Sequence, residues 1–366
     1  MFNVDEKFVT DNTIIKVVAG SHAYGTNLPS SDWDERGIFV DSMERIILPF
    51  EKIEQFQYEK DDVVVYELSK FMPLLLEQNP NILEILWAED KNILSVTEEG
   101  KYLMSFRETF LTKKIKDSYV GYATSQLGRI KGHNKWINNP QPEQEPQQIE
   151  FFSVVWNYSE NKSYNKQVPQ QDYFAINLGD NHFGLFKNTD KEFSNWIDKK
   201  GKTNPIPKEK VSIINQKQLK PEIIVKFNEA AYKASHQNWK SYWTWKNNRN
   251  EKRAELEIKY GYDTKHAMHL IRLLKTGCEV LEHGKVFVHR EDKNFLLSIR
   301  NGEYSYEEIL KMSQELTEKV NHLVVKSNLP QEANYVLAKE VMLNIYKSKW
   351  NLDLKDQNKI KSKLSI

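Results

Sequence analysis

A single cysteine, Cys278, is all that this chain carries. An internal disulfide and any site built from several thiolates are therefore excluded, and a reducing compartment suits the chain best. Long apolar runs are missing too. None approaches the roughly 20 residues that a membrane-spanning helix needs, and residues 1–7 lack the basic-then-apolar pattern of a secretion signal. The expectation is a soluble, cytoplasmic protein with no membrane partner. Neither sign of charge is in excess: 52 Lys and Arg stand against 51 Asp and Glu, a net charge of +1. Global charge thus gives no argument for a polyanionic partner, although a local basic face would suffice for one. The Gly-Lys-Ser/Thr of a P-loop does not follow Gly20. A dinucleotide fingerprint needs three glycines in register, and only Gly20 and Gly25 are there. His133, His182, His283 and His289 show no zinc-ligand spacing.

What the chain does have, in 366 residues, is length for two domains and many rings: nine Trp, 17 Tyr and 17 Phe. Residues 14–19 are a short apolar run that suits a buried strand, ended by Gly20. Asn27 to Asp32 is loop chemistry, and Gly37-Ile38-Phe39-Val40 continues as a second strand. Ile46 to Phe50 reads as a further short strand, and residues 61–67, β-branched and bounded by charge, as a third core strand. From Leu68 the apolar spacing becomes helical, with Asn79-Pro80 between two helices. Residues 106–136 read as mostly helical, and 141–148 as a polar, Pro-containing loop. Within 150–215 the clearest signal is a β-hairpin over residues 173–186. Helices are expected again from about Pro221, including one from Lys265 to Thr276 stopped near Gly277, a short strand at Val286-Phe287-Val288, and a helix opened by a capping box at Ser305. The tail from Asn351 is polar and Lys-rich.

The chemistry concentrates near the start. Gly20-Ser21 at a strand end supplies backbone N–H groups and a hydroxyl for phosphate oxygens, and Gly25 closes the turn without Cβ interference. Asp32 and Asp34 are two apart, so on an extended segment both carboxylates face one side. Such a pair repels unless a divalent cation neutralises it, and hard oxygen ligands suit Mg²⁺. A third carboxylate on a neighbouring strand would complete a two-metal site for in-line displacement at an α-phosphate. Asp62 opens that strand; Glu67, five residues on, and the adjacent Asp61 face the other side of a regular strand.

The set Gly20-Ser21, Gly25 and Ser31-Asp32-x-Asp34 resembles the signature of the polymerase-β-type nucleotidyltransferase superfamily. Its longer form, with Tyr24-Gly25 and Ser31 to Gly37, resembles a narrower branch, the predicted nucleotidyltransferases found with RNA-repair ligases in bacteria and phages. Further blocks at residues 62–71 with 79–84, 121–127, 262–274 and 298–303 extend the likeness over most of the chain except roughly residues 140–220. The resemblance implies an α+β fold: a small mixed-sheet nucleotidyltransferase domain over residues 1–105, then a mainly helical domain over 106–366 with a β-containing insertion at about 140–220. It implies Asp32, Asp34 and Asp62 as catalytic metal ligands for two Mg²⁺, with Mn²⁺ as a substitute and Glu67 as the alternative third carboxylate. It implies Gly20, Ser21, Tyr24, Gly25 and Ser31 around the nucleotide. The reaction is then transfer of an NMP from an NTP to an acceptor hydroxyl with release of pyrophosphate. The leading acceptor is an RNA 3′ end in a pathway shared with an RNA ligase, in the host cytoplasm for a phage-encoded chain. Nucleotidylation of a small molecule or a protein side chain, and a catalytically weak RNA-binding partner of a repair complex, are the alternatives.

Lys265, His269 and Arg272 fall at i, i+4 and i+7, on one helix face. Spacing alone favours an ordinary solvated face; the resemblance turns it into a basic face that touches phosphates or acceptor. Ser125, Gln126, Arg129 and His133 form a polar helical stripe that serves a cleft or an interhelical network equally well. Arg36 can reach a phosphate or pair with Asp32 and Asp34 when metal is absent, with the structural pairing favoured, and Glu84 and Glu303 read as structural carboxylates as readily as functional ones. Trp239, Trp243 and Trp245 read as core or interface before base-stacking platforms.

Overall fold

A computed structural model describes residues 6–48, 50–58, 62–158, 168–189, 191–207, 220–248 and 251–352. Asp61 and the Lys-rich tail from residue 353 lie outside the described residues. The chain forms two compact units, residues 1–137 with 252–366, and residues 138–251.

The first unit begins with α1 (Glu6–Asp11), β1 (Thr13–Ala19), α2 (Gly20–Tyr24), β2 (Asp34–Phe39), α3 (Met43–Ile47), β3 (Gln55–Gln57), β4 (Asp62–Glu67), α4 (Leu68–Leu76), α5 (Pro80–Leu86), β5 (Ile93–Val96), α6 (Glu98–Ser105) and α7 (Ile115–Asn138). The second unit holds β6 (Phe152–Asn157), β7 (Tyr173–Gly179), β8 (His182–Lys187), β9 (Ile223–Phe227) and α8 (Glu229–Asn248). The chain then returns to the first unit with α9 (Glu251–Tyr260), α10 (Thr264–His283), α11 (Lys293–Arg300), α12 (Tyr306–Lys326) and α13 (Tyr335–Lys349). The fold is α+β, with a small mixed sheet and a helical C-terminal region, as expected. Among the described residues no helix is long and apolar enough to cross a membrane.

Among the described residues the sheet of the first unit has five strands in the order β3-β4-β2-β1-β5, of which β3 and β5 have no counterpart in the sequence pattern. β2 and β4 run parallel; the other pairs are antiparallel. One face packs on helices: Ile15 and Val17 of β1, Phe71 and Leu75 of α4, Leu83 of α5 and Ile271 and Leu274 of α10 share one core. α4 starts where the alternation of β4 gives way to helical spacing, and Glu67 marks the change. Its carboxylate accepts from the Ser69 N–H as the N-cap and from the Tyr346 hydroxyl of α13 at 3.0 Å. Trp350, just past α13, donates its indole N–H to the Asp41 carbonyl at 2.9 Å. These bonds join the ends of β2 and β4 to the last described helix.

Four local expectations fail. Residues 46 and 47 end a helix, α3, because the Ser42 hydroxyl accepts from the Arg45 N–H and starts that helix first. Residues 286–288 form no strand: Val286 and Val288 are buried and Phe287 exposed, an extended pattern with no ladder. Residues 223–227 are a strand, β9, not the start of a helix; the β-branched run Ile223-Ile224-Val225 pairs with β6 and β8. Finally, α10 does not stop near Gly277 but runs to His283, capped by Gly284 at φ 64°. Gly277 instead lets α10 approach α7: a Cβ there would lie 3.2 Å from the Tyr119 Cβ.

In the second unit, β6-β9-β8-β7 form an antiparallel sheet over a core that includes Phe152, Leu185, Trp196 and Val225. The expected hairpin is β7–β8, turning at Asp180-Asn181 with φ 45° and 60°. Trp239 and Trp243 donate their indole N–H groups to the Pro142 carbonyl at 2.9 and 3.0 Å, so both rings serve the packing of this unit.

Gly277→Val should cost about 2 kcal/mol of stability by overpacking against Tyr119. Equilibrium denaturation of the two chains side by side measures it.

Candidate active site

The register of the mixed sheet builds the site. Ala19, at the end of β1, is opposite Asp34, and Asp34 is opposite Asp62. The chain leaving β1 and two carboxylates therefore stand in one row. Gly20 follows with φ 61°, and an added Cβ would stand 2.1 Å from Asp34 Oδ2. The turn can pass this close to a carboxylate only at a glycine. Burial, followed by a hydrogen bond to Asp62 and the charge of Asp62, pushes the Asp34 carboxyl up to about 6, against the pull of Arg36 and Lys265. Arg36 Nη2 lies 3.2 Å from Asp62 Oδ1 and 3.7 Å from Asp34 Oδ1. Its Nη1 donates to the carbonyls of Asp62 and Glu35. Arg36 thus partners Asp34 and Asp62, not the expected Asp32.

Asp32 is not on the strand, contrary to the extended alternation read from the sequence. β2 begins at Asp34, and Asp32 is exposed in the preceding loop. The reason is the turn itself: β1 ends opposite Asp34, so residues ahead of Asp34 have no backbone to pair with. Ser31 closes that loop, its hydroxyl accepting from the Leu28 N–H at 2.8 Å. Ser21 lies in the first turn of α2, partly exposed, and its carbonyl accepts from the Thr26 N–H. Gly25, at φ 73°, ends α2 against the ring of His289. Glu67 sits at the far end of β4 from Asp62, buried as the α4 cap, with burial raising its carboxyl above the usual range.

Tyr24 and Arg272 meet inside the protein. The Tyr24 hydroxyl donates to Glu84 Oε2 at 2.6 Å, Arg272 Nη1 donates to Glu84 Oε1 at 2.8 Å, and the guanidinium lies 3.8 Å from the Tyr24 ring centre. Burial holds the Tyr24 phenol well above its ordinary range. The face expected to be uniformly basic is therefore divided. Arg272 is buried against Glu84, and His269 is kept neutral, first by burial and then by Arg272, Lys265, His266 and Arg300. Lys265 is the member of the three whose charge reaches Asp34.

Several neighbours of the turn escaped the sequence reading. The Arg290 N–H donates to the Tyr24 carbonyl at 3.0 Å, and Arg300 Nη1 to the Thr26 carbonyl at 3.3 Å. The 298–303 block marked the segment of Arg300, but nothing in its spacing told of a bond 274 residues away. Trp33, 51% exposed between the two acids, packs on His22 with ring centres 4.7 Å apart.

Two close carboxylates, one raised by burial and then by the other, are a donor set that a divalent cation relieves, and oxygen-only donors suit Mg²⁺ or Mn²⁺. Because the Asp34 pKa is raised on folding, its charged form opposes folding above pH 6, and that penalty vanishes as pH falls towards the unfolded value. Asp34→Asn should be more stable than the parent at pH 7 by about 1 kcal/mol, discounted for partial exposure, with the gap closing below pH 6; melting curves across pH test this. Glu84→Gln should cost about 3 kcal/mol by leaving the buried Arg272 charge without its partner, read by denaturant titration.

Comparison with known proteins gives one family and one distant relative to report. An uncharacterized 38.9 kDa protein of Enterobacteria phage T4, from the nrdC-mobD intergenic region, is 23% identical over 336 residues, covering 84% of this chain and 88% of that protein. No solved structure matches. Residues 4–138, which carry the Gly20-Ser21 turn together with Asp32, Asp34 and Asp62, match the RNA repair pathway DNA polymerase beta family (RlaP), the kinship that the sequence motifs pointed to.

Proposed function

We propose that this chain is a metal-dependent nucleotidyltransferase of the polymerase-β type, which moves an NMP from an NTP to an acceptor hydroxyl at an RNA 3′ end. The observation that carries this reading is the row Gly20, Asp34, Asp62 at one end of the mixed sheet. The match of residues 4–138 to an RNA repair family supports both the chemistry and the acceptor class. In this reading the catalytic part is residues 1–105, and the helical remainder, 106–366, contributes Lys265.

Asp34 and Asp62 would hold Mg²⁺ or Mn²⁺, joined by Asp32 from the loop. When bound, the metal lowers the pKa of the attacking hydroxyl and offsets charge on the phosphates. The acceptor oxygen bonds to the α-phosphorus, the bond from that phosphorus to the bridging oxygen breaks, and pyrophosphate leaves with the electron pair. The hydroxyl proton passes to solvent. Gly20 keeps the turn close to Asp34, leaving the Ser21 hydroxyl and nearby N–H groups to the triphosphate. Arg36 neutralises the carboxylates of Asp34 and Asp62, the charge that a bound cation would otherwise offset. Lys265 adds positive charge beside Asp34. Trp33 offers an exposed ring next to the acids on which a base can stack. The product, an RNA with a completed 3′ end, is what a ligase requires, which fits a shared repair pathway.

Incubation with each labelled NTP, Mg²⁺ and a mixture of RNA, protein and small acceptors should transfer label to RNA. Asp34→Ala and Asp62→Ala should each reduce transfer about 1,000-fold. Label on protein or a small acceptor alone would replace the RNA acceptor, and no transfer to any acceptor would overturn the enzymatic reading.

A further inference from the structure

A second cluster of ligand-type side chains lies in the first unit, where the chain departs into residues 138–251 and returns. His133 is near the end of α7, Glu257 is in α9, Asp263 caps α10, and His266 is in its first turn. One ligand atom from each of His133, Glu257 and Asp263 falls within 4.8 Å of the others. His133 Nδ1 is 3.6 Å from Asp263 Oδ2 and 3.8 Å from Glu257 Oε1, and His266 Nε2 is 3.6 Å from the same Asp263 Oδ2. Both carboxylates are 2% exposed.

We propose that His133, Glu257, Asp263 and His266 form a structural site for a first-row divalent cation of the zinc class, separate from the Asp34–Asp62 pair. Ligands at about 2.0–2.1 Å around a tetrahedral zinc stand roughly 3.4 Å apart, and the three separations above exceed that by a few tenths of an ångström. Imidazole nitrogen selects zinc-like ions over Mg²⁺, which favours oxygen alone.

The surroundings orient the donors. His266 Nδ1 donates to Gln126 Oε1 at 2.7 Å, and its Nε2 faces Asp263 Oδ2 at 3.6 Å. Asp263 uses its other oxygen to cap α10, accepting from the His266 N–H at 2.9 Å, so Oδ2 is fixed in direction. Trp136 stacks on the His133 ring with centres 6.0 Å apart. Gln126 and His133, the polar stripe of α7, thus meet α9 and α10. The sequence hid the set because His133 and Glu257 flank the whole second unit, far from the close spacing of zinc motifs. A cation there would clip together the two points where the chain leaves and rejoins the first unit.

The test uses the full chain stripped with chelator, then titrated with Zn²⁺ in excess Mg²⁺, with bound metal counted by elemental analysis and melting temperature recorded. One zinc per chain should remain against Mg²⁺ and raise the melting temperature. His133→Gln and Asp263→Asn, the latter keeping a capping oxygen, should each abolish stoichiometric retention. Gln126→Ala should weaken zinc about 10-fold through His266, while Asp34→Asn should leave the count at one. No zinc retained by the parent chain, zinc displaced by Mg²⁺, or unchanged retention in either ligand variant would overturn the site; glutamine in place of Glu257 provides a further ligand variant should another fail to fold.

Discussion

The parallel pairing of β2 with β4 is the constraint on which the candidate site depends. Among the described residues it is the one parallel pair in the sheet of the first unit, and it sets Asp34 beside Asp62. A slip of one residue would turn over the alternation of one strand against the other, sending its acid to the opposite face of the sheet. Val63 and Val65 of β4, packed with Phe39 of β2 in one apolar cluster, oppose such a slip. Apolar packing at the middle and end of these strands thus forces two like charges together at their start. The unfavourable contact is local and the favourable packing extended, so the latter wins. Arg36 moderates the repulsion in the meantime.

The second support of the site is internal. Tyr24, Glu84 and Arg272 bring α2, α5 and α10 to one buried point, each using its polar atoms on the others. A charged pair so placed adds little net stability over an apolar packing, but it admits few alternative arrangements. Gly25 against His289, and the Arg290 bond to the Tyr24 carbonyl, hold the same turn from another side. The turn leaving β1 is therefore fixed by residues drawn from much of the first unit, although the family match spans residues 4–138 alone.

The legible parts were those whose signal is local. The β1 run, the Gly20 turn, Asp62 at the head of β4, the Asn79-Pro80 helix start, the β7–β8 hairpin and the Ser305 capping box each follow from a few adjacent residues. What stayed hidden depended on partners far along the chain. β3 and β5 are short edge strands with little pattern of their own. Asp32 looked like a strand residue because an alternation of two is visible in sequence, whereas the end of the neighbouring strand is not. The helix face of Lys265, His269 and Arg272 was correct as geometry. Its chemistry was divided by burial, which depends on Glu84 nearly two hundred positions away.

The bonds of α13 to the start of the chain bear on how the protein is made. Tyr346 reaches Glu67 across 279 positions, and Trp350 reaches Asp41 across 309. At ordinary elongation rates, on the order of tens of seconds separate the emergence of the two partners from the ribosome. Throughout that interval Glu67 lacks the hydroxyl that helps satisfy it, and the first-unit sheet lacks its last covering helix. The second unit draws its strands from within 152–227 and can close early. The second unit can therefore close while the first-unit sheet still waits for residues 335–350.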